Sequence, residues 1–249
     1  MRHLLVVEDL TPQEIEGVFA ISQDLETKYT AGARDALFPG RVLALVFEKQ
    51  SLRTRVSFQT AMVHLGGSSL FLGEDTGFAS SRESIDDFSR VLSEYVDCIA
   101  CRSKSHATIE QLAASASVPV INALSDFSHP CQALADLYTL RRQIGRLEGL
   151  TFTFVGDGNN VAHSLILCGA LLGIEVRIAC PKGYEPNPFV IKKAREIYKN
   201  ENLLKISNDP NTAVLGANVL YTDVWSSMGE ENQKRSEEHT SELQSLTNL

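Results

Sequence analysis

Apolar and polar positions follow two alternating periods along the chain. After Thr11 and Pro12, the apolar residues Ile15, Val18 and Phe19 recur at helical spacing and predict an amphipathic helix. Short continuous apolar runs separate this helix from later helical segments and predict buried strands. The predicted strands are residues 41–47, 68–72, 97–101, 119–122, 151–155, 175–180, 203–207 and 218–222. The later predicted helices are 53–65, 82–95, 107–115, 131–144, a segment ending at 172, 188–199 and 211–215.

This β-α-β alternation predicts the fold class. Strands that alternate with helices form parallel sheets with helices on both faces. The alternation restarts near Gly149, after a long helix, so the chain contains two such runs. We therefore expect an α/β protein with two doubly wound parallel-sheet domains and an active site in the cleft between them. The first domain is predicted at residues 1–145 and the second at residues 146–234.

The last fifteen residues do not continue this pattern. Residues 235–249 read R-S-E-E-H-T-S-E-L-Q-S-L-T-N-L and are polar, with no clear period. The segment resembles the in-frame translation of a sequencing-library adaptor, so we interpret it as a non-native tail. The alternative is a native flexible tail.

Composition excludes several classes of function. The 249 residues carry 23 Lys and Arg against 31 Asp and Glu, so the formal charge is −8 and no broad basic surface for nucleic acid is expected. No apolar run approaches the length of a membrane span. Five cysteines suggest no disulfide framework, which favours a reducing cytoplasm. Cys98 and Cys101 face opposite sides of a predicted strand, so a redox or metal pair is not expected.

The first candidate site follows the strand at residues 41–47. Ser51 can cap the next helix, whose free N–H groups and positive dipole end then face one spot. Arg53 and Arg55 add charge, and Ser51 and Thr54 add hydroxyls. This assembly is typical of a phosphate site, although the glycines of a Walker loop are missing. The alternative is an ordinary capped helix with solvated arginines.

Two further groups follow later strands and suit a carbonyl-containing ligand. His129 and Gln132 flank the start of a helix and can polarise a carbonyl and hold an amino group. Arg102 ends a strand, at the edge of the sheet where α/β sites form. The alternatives are a buried structural histidine and a solvated arginine.

The second half of the chain offers a glycine-rich loop and an acidic strand end. Gly156-Asp157-Gly158-Asn159-Asn160 resembles half of a dinucleotide fingerprint, but Val161 replaces the third glycine and no acidic residue follows for a ribose. We expect no NAD there, and instead expect Asn160 to turn its amide towards a ligand. Asp223 ends a strand and can bind an ammonium group, unless it is only a turn residue.

Together these segments resemble the aspartate/ornithine carbamoyltransferase family. The resemblance covers residues 1–234 and includes S-L-R-T-R, R-E-S-I-D-D-F-S-R-V-L, H-P-C-Q-A-L-A-D, F-V-G-D-G-N-N and D-V-W-S-S-M-G in this order. The last motif resembles the members that act on ornithine. The resemblance implies carbamoyl transfer from carbamoyl phosphate to the δ-amine of L-ornithine, which gives L-citrulline and phosphate in arginine biosynthesis. It also implies a homotrimer and no metal or organic cofactor.

The resemblance also implies a role for each motif residue. Ser51, Leu52, Arg53 and Thr54 would bind the phosphate of carbamoyl phosphate. Arg102, His129 and Gln132 would bind the carbamoyl group and act in catalysis. The ornithine site would consist of Asn160, Asp223, Ser227 and Met228.

Two departures from the family and three alternatives accompany this hypothesis. Family members continue past residue 234 with an H-C-L-P segment and a closing helix, so we expect the ornithine-binding domain at residues 146–234 to be incomplete and this chain to be impaired. Phe78 stands where relatives offer a polar residue to a neighbouring subunit. The alternatives are a carbamoyltransferase for another amine, such as putrescine or N-acetylornithine, a catalytically dead binding subunit, and a dehydrogenase.

Overall fold

The computed structural model describes residues 2–73, 83–198 and 200–223. Within these ranges the helices are α1 (Pro12–Thr30), α2 (Leu52–His64), α3 (Ile85–Ser93), α4 (His106–Ser115), α5 (Pro130–Ile144), α6 (Asn160–Leu172), α7 (Pro188–Ile197) and α8 (Pro210–Val214). The strands are β1 (Val42–Phe47), β2 (Ser68–Leu72), β3 (Cys98–Arg102), β4 (Val120–Leu124), β5 (Thr151–Val155), β6 (Glu175–Ala179), β7 (Leu204–Ser207) and β8 (Val219–Thr222). Short 3-10 turns cover Val7–Asp9 and Glu201–Leu203. The predicted order of elements is confirmed.

The first sheet is parallel and has the strand order β2-β1-β3-β4. Its central strand β1 sends alternate side chains to opposite faces. Ala44 and Val46 pack against the cluster formed with α3 and α4, whereas Leu43 and Leu45 pack against the opposite cluster, where α2 contributes Phe58. Burial on both faces explains why β1 is a continuous apolar run rather than an alternating one.

The second sheet is also parallel, with the order β7-β6-β5-β8. Helix α6 covers it and is buried over residues 160–170, because it lies between this sheet and α5. One apolar cluster joins Phe19 of α1, Leu137 of α5, Leu165 of α6 and Phe152 of β5. Helices α1 and α5 therefore pack on the core of the second sheet, whereas the first sheet has two clusters of its own, and the boundary between residues 145 and 146 stays a prediction.

Both sheets reverse their strand order at one point. The reversal lies between β1 and β3 in the first sheet and between β5 and β8 in the second. At such a point the loops leave the sheet in opposite directions and open a crevice beyond the carboxyl ends of the strands. These are the strands that precede Ser51, Arg102, Asn160 and Asp223. The doubly wound α/β architecture with a central cleft is confirmed.

Local signals explain where several helices begin. Thr11 and Glu14 form a capping box at the start of α1, as Thr11-Pro12 indicates. Ile15 and Phe19 are buried as predicted, but Val18 is exposed.

None of the helices in the described ranges combines the length and the apolar character that a membrane crossing requires.

The loop after β5 contains a glycine that the packing requires. The N–H group of Gly158 donates to the carbonyl oxygen of Tyr184 at 2.7 Å. A Cβ atom at Gly158 would lie 2.1 Å from the backbone nitrogen of Pro186. The segment at residues 184–186 therefore packs directly on Gly158, and only glycine fits there.

We expect Gly158→Ala to lower the free energy of unfolding by about 1–3 kcal/mol, because the backbone of residues 184–186 must shift. The control is Gly17→Ala on the exposed face of α1, where an added Cβ meets nothing within 4 Å. This control should raise stability by roughly 0.5–1 kcal/mol. Urea unfolding of both variants measures the difference, and equal stability of Gly158→Ala and wild type would contradict this packing account.

Candidate functional site

A cavity of about 610 Å³ lies where the carboxyl ends of the two sheets face each other. Residues from both halves of the chain line it, so the cleft predicted from the sequence contains a single site. Eight of the predicted site residues line this cavity: Ser51, Arg53, Thr54, Arg102, His129, Gln132, Asn160 and Asp223. Ser227 and Met228 lie outside the described residues, as does Phe78.

The amino-terminal end of α2 forms one wall of the cavity. The expected cap by the Ser51 side chain is wrong, because its hydroxyl donates to Thr54 Oγ1 at 2.9 Å instead of accepting from the helix backbone. The first N–H groups of α2 therefore have no side-chain cap and are available to an anion. Arg53 and Lys49 add positive charge to the same wall.

Two other residues of this motif do not face the cavity with their side chains. The guanidinium of Arg55 lies 3.8 Å from the centre of the Phe71 ring, and its Nε donates to Gln59 at 3.2 Å. The side chain of Leu52 is outside the cavity lining, and this residue is 79% exposed. Leu52 can therefore serve a ligand only through its backbone N–H group, and its phosphate-binding role stays a prediction.

Arg102 reaches the cavity from the end of β3, where the register with β4 shifts between Cys101 and Arg102. Its Nη1 donates to Thr54 Oγ1 at 3.4 Å, which ties it to the start of α2. Its Nε is buried and has no hydrogen-bond partner among the described residues. Burial lowers the pKa of Arg102, but a guanidinium stays charged in proteins. The site therefore holds a buried cationic donor that a ligand oxygen can satisfy.

His129 occupies the position before α5 and stays neutral. Its backbone N–H donates to the hydroxyl of Ser164 at 2.9 Å, which fixes the start of the helix. Nδ1 is buried without a partner in the described part of the chain. Burial, and next the positive charge of Arg102, lower the pKa of His129 to about 4. A neutral imidazole can donate one N–H to a polarised oxygen without competing with Arg102 as a cation.

Gln132 lies on the first turn of α5 and is held by a residue that the sequence analysis missed. Its Nε2 donates to Asp136 Oδ1 at 2.9 Å. Burial raises the pKa of the Asp136 carboxyl, against the hydrogen bonds from Gln132 and Tyr221. The i, i+4 spacing in H-P-C-Q-A-L-A-D is the signal that could have identified this pair.

The opposite wall comes from the loops after β5 and β8. Asn159 caps α6, because its Oδ1 accepts from the N–H groups of Val161 and Ala162 at 3.0 and 3.1 Å. Its Nδ2 donates to Asp223 Oδ2 at 3.0 Å, so the carboxylate is fixed at the edge of the cavity. Asparagine is a typical N-cap residue, so the place of Asn159 between a glycine-rich turn and a helix is the signal that could have identified it.

Asn160 lines the cavity, but its amide nitrogen already has a protein partner. Nδ2 donates to the carbonyl oxygen of Ser125 at 2.5 Å, and Oδ1 accepts from Val161 at 3.0 Å. Ser125 follows β4 of the first sheet, so this bond crosses between the two halves of the chain. The prediction that Asn160 turns its amide towards a ligand remains untested in this structure.

The glycine-rich loop offers no room for a dinucleotide. In dinucleotide sites, a pyrophosphate takes the amides at the start of the helix, but here the Asn159 side chain occupies them. The backbone of residues 184–186 covers Gly158, where a cofactor would otherwise approach. The dehydrogenase alternative therefore has no structural support. Among the described residues, no group of three or more His, Cys, Asp or Glu side chains could hold a metal ion.

We expect His129 to titrate near pH 4 in the folded protein. In the unfolded state His129 has a pKa near 6.5, so between pH 6.5 and 4 the unfolded state binds a proton that the folded state does not. The contribution of His129 to the free energy of unfolding is therefore complete above pH 6.5 and is lost as the pH falls towards 4. NMR titration of the histidine ring protons, assigned with a His129→Gln variant, measures this pKa. An observed value near 6.5 would show that the ring is solvated rather than buried beside Arg102.

Comparison with known proteins agrees with the motifs and the fold. Residues 2–142 match the carbamoyl-P binding domain of the aspartate/ornithine carbamoyltransferases, and residues 148–248 match their Asp/Orn binding domain. The second match extends into the predicted non-native tail, whose interpretation stays a prediction. A protein named ornithine carbamoyltransferase from Prochlorococcus marinus subsp. pastoris is 58% identical over 226 residues, which are 91% of this chain and 72% of the relative.

Solved structures give the same result. Ornithine carbamoyltransferase from Pyrococcus furiosus superposes with a TM-score of 0.91 at 45% identity, over 96% of this chain and 76% of that chain. A mitochondrial ornithine carbamoyltransferase from Coccidioides immitis superposes with a TM-score of 0.86 at 34% identity, over 96% and 78% of the two chains. From the matched domains, the sequence identity and the shared fold, this chain belongs to the aspartate/ornithine carbamoyltransferase family.

Proposed function

We propose that this protein transfers the carbamoyl group of carbamoyl phosphate to the δ-amine of L-ornithine, which gives L-citrulline and phosphate. The observation that carries the proposal is the division of chemistry within one cavity. An uncapped helix end, Arg53 and the donors Arg102 and His129 line one side, and the fixed carboxylate of Asp223 lines the other. An anion with a carbonyl group fits the first side, and an amino acid with a cationic group fits the second.

The groups on the first side suit the separate parts of carbamoyl phosphate. The N–H groups of α2, the guanidinium of Arg53 and the hydroxyls of Ser51 and Thr54 suit the phosphate oxygens. Arg102 and neutral His129 suit the carbamoyl oxygen, where negative charge develops as the carbonyl carbon becomes tetrahedral. Gln132 suits the carbamoyl amino group. Because the donors are already buried and held, they need little reorganisation when this charge appears.

The second side holds the nucleophile. We propose that Asn160 and Asp223, together with Ser227 and Met228, bind the α-amino and carboxyl end of ornithine and direct its δ-amine at the carbamoyl carbon. The attacking amine must be neutral, and with a lysine-like pKa its deprotonation at pH 7 costs about 4.6 kcal/mol. The cations Arg53 and Arg102 disfavour a second positive charge in this cavity and so lower that cost.

The reaction then follows from these positions. The δ-nitrogen forms a bond to the carbamoyl carbon and loses one proton to the leaving phosphate, and the carbon–oxygen bond to phosphate breaks. Phosphate leaves with the electron pair of that bond, and the uncapped start of α2 and Arg53 stabilise its charge. Holding both substrates in one cavity replaces a bimolecular encounter by an intramolecular one.

The biosynthetic direction and the assembly complete the proposal. A relative named anabolic ornithine carbamoyltransferase, from Pyrococcus furiosus, is 46% identical over 231 residues, which supports citrulline synthesis. A homotrimer is supported by α2, which buries no residue and exposes Leu52, Val56 and Val63 beside the site. Light scattering would give three times 27.4 kDa for such an assembly. The cytoplasmic location stays a prediction from the cysteine count.

The function is tested by citrulline formation from carbamoyl phosphate and L-ornithine, with putrescine and N-acetylornithine as competing amines. We expect product from ornithine alone, because the D-V-W-S-S-M-G motif resembles the family members that act on ornithine. If another amine gave product instead, that amine and not ornithine would be the substrate. Carbamoyl phosphate binding without turnover of any amine would support a dead binding subunit instead.

We expect Arg53→Ala to weaken carbamoyl phosphate binding by about 10- to 100-fold, as for loss of a charge-assisted hydrogen bond. The matched control is Arg55→Ala, two residues further along the same helix, whose side chain stacks on Phe71 outside the cavity. Calorimetric titration of both variants gives the two dissociation constants. Equal weakening by the two substitutions would indicate a general effect of positive charge rather than a contact at Arg53.

A further inference from the structure

Gln132 is a member of the proposed carbamoyl group site whose amide side chain has two possible orientations. Its amide carries a donor nitrogen and an acceptor oxygen on one carbon, and rotation by half a turn exchanges them. We propose that Asp136 is a positioning residue that fixes this orientation and thereby makes the site select an amino group on the acyl carbon. This inference rests on the proposed function, because it needs Gln132 to contact the carbamoyl group.

The hydrogen bond between the two side chains determines which atom faces the ligand. The Asp136 carboxylate accepts hydrogen bonds and cannot donate them, so the atom of Gln132 that lies 2.9 Å away must be Nε2. Gln132 also lines the cavity, and its remaining polar atom, Oε1, is left for a ligand. An acceptor at that place fits the N–H groups of a carbamoyl group and offers nothing to a methyl group.

The rest of the site supports this polarity. The buried Nε of Arg102 and the buried Nδ1 of His129 have no hydrogen-bond partner among the described residues, so a carbamoyl oxygen suits both when Nδ1 carries the imidazole proton. A carbamoyl group has its oxygen and its amino group on the same carbon, so it needs donors on one side and an acceptor on the other. Asp136 does not contact the ligand, but it provides the acceptor by holding Gln132 with Oε1 towards the cavity.

The placement of Asp136 indicates a role other than stability. The carboxylate lies one helical turn beyond Gln132 on α5 and is partly buried, which raises its pKa. Burying a carboxylate in this way opposes folding unless its hydrogen bonds compensate. Replacement by a neutral residue of the same shape should therefore leave the fold intact, and thermal unfolding of each variant checks this.

The test compares carbamoyl phosphate with acetyl phosphate, in which a methyl group replaces the amino group. Their dissociation constants are measured by calorimetry for the full chain and for Asp136→Ala and Asp136→Asn, with inorganic phosphate as a ligand that lacks the acyl group. We expect wild type to prefer carbamoyl phosphate by up to about tenfold, the value of one net hydrogen bond. Phosphate binding should be unchanged in both variants.

Phosphate binding separates positioning from a structural role. In Asp136→Ala the Gln132 amide is released and the preference for carbamoyl phosphate should fall. In Asp136→Asn the introduced amide can hold Gln132 in either orientation, because its oxygen accepts from Nε2 and its nitrogen donates to Oε1, so the preference should fall by less. A structural role predicts instead that Asp136→Ala weakens the binding of inorganic phosphate as well.

A second-site variant supplies the rescue. In the double variant Gln132→Glu with Asp136→Asn, the introduced amide donates to one carboxylate oxygen and leaves the other facing the cavity, while the total charge is unchanged. The preference for carbamoyl phosphate should return. Wild-type preference in Asp136→Ala would overturn the inference while leaving the proposed function intact. Failure of wild type to bind carbamoyl phosphate would instead refute the proposed function.

Discussion

The hydrogen bonds between the 125–129 loop and the first turn of α6 hold the two halves of the site together. Asn160 donates to the Ser125 carbonyl, and the hydroxyls of Ser128 and Ser164 lie 3.0 Å apart. His163 Nδ1 lies 2.9 Å from the Phe127 carbonyl, and its Nε2 accepts from the Asn187 N–H at 3.0 Å. Since a carbonyl only accepts, Nδ1 carries the proton, and the ring is neutral in one tautomer. The start of α5, and with it His129, depends on this network.

These contacts also explain the electrostatic character of the cavity. The polar groups that join the two sheets satisfy one another, whereas Arg102 Nε and His129 Nδ1 have no partner within the part of the chain that the structure describes. Buried polar groups are normally paired, so these two atoms are costly in the empty protein. A bound oxygen removes that cost, and the difference contributes to binding. The same arrangement therefore holds the hydrogen-bond network rigid and leaves the Arg102 and His129 nitrogens available to a ligand.

The sequence predicted the order of elements and eight of the residues that line the cavity, because both depend on local signals. Periodicity identifies helices and strands, and residues at the carboxyl ends of parallel strands converge wherever the strand order reverses. The contacts that sequence reasoning missed involve side chains that could bond to any of several partners. Ser51 bonds Thr54 rather than the helix backbone, and Arg55 stacks on Phe71, which comes from a different element. Which partner a side chain bonds to depends on three-dimensional distances, and these cannot be read from the spacing of residues along the chain.

The contact between Gly158 and residues 184–186 has a consequence for how this fold can change in evolution. Related strand–loop–helix units elsewhere bind nucleotides with the same kind of turn. Here the chain's own backbone lies 2.1 Å from where a side chain would begin, and Asn159 already bonds the helix amides. A new cofactor function would therefore need an altered 184–186 segment and a lost cap together. Neither step alone opens the loop, so point mutations one at a time are a poor route from this enzyme family to dinucleotide binding.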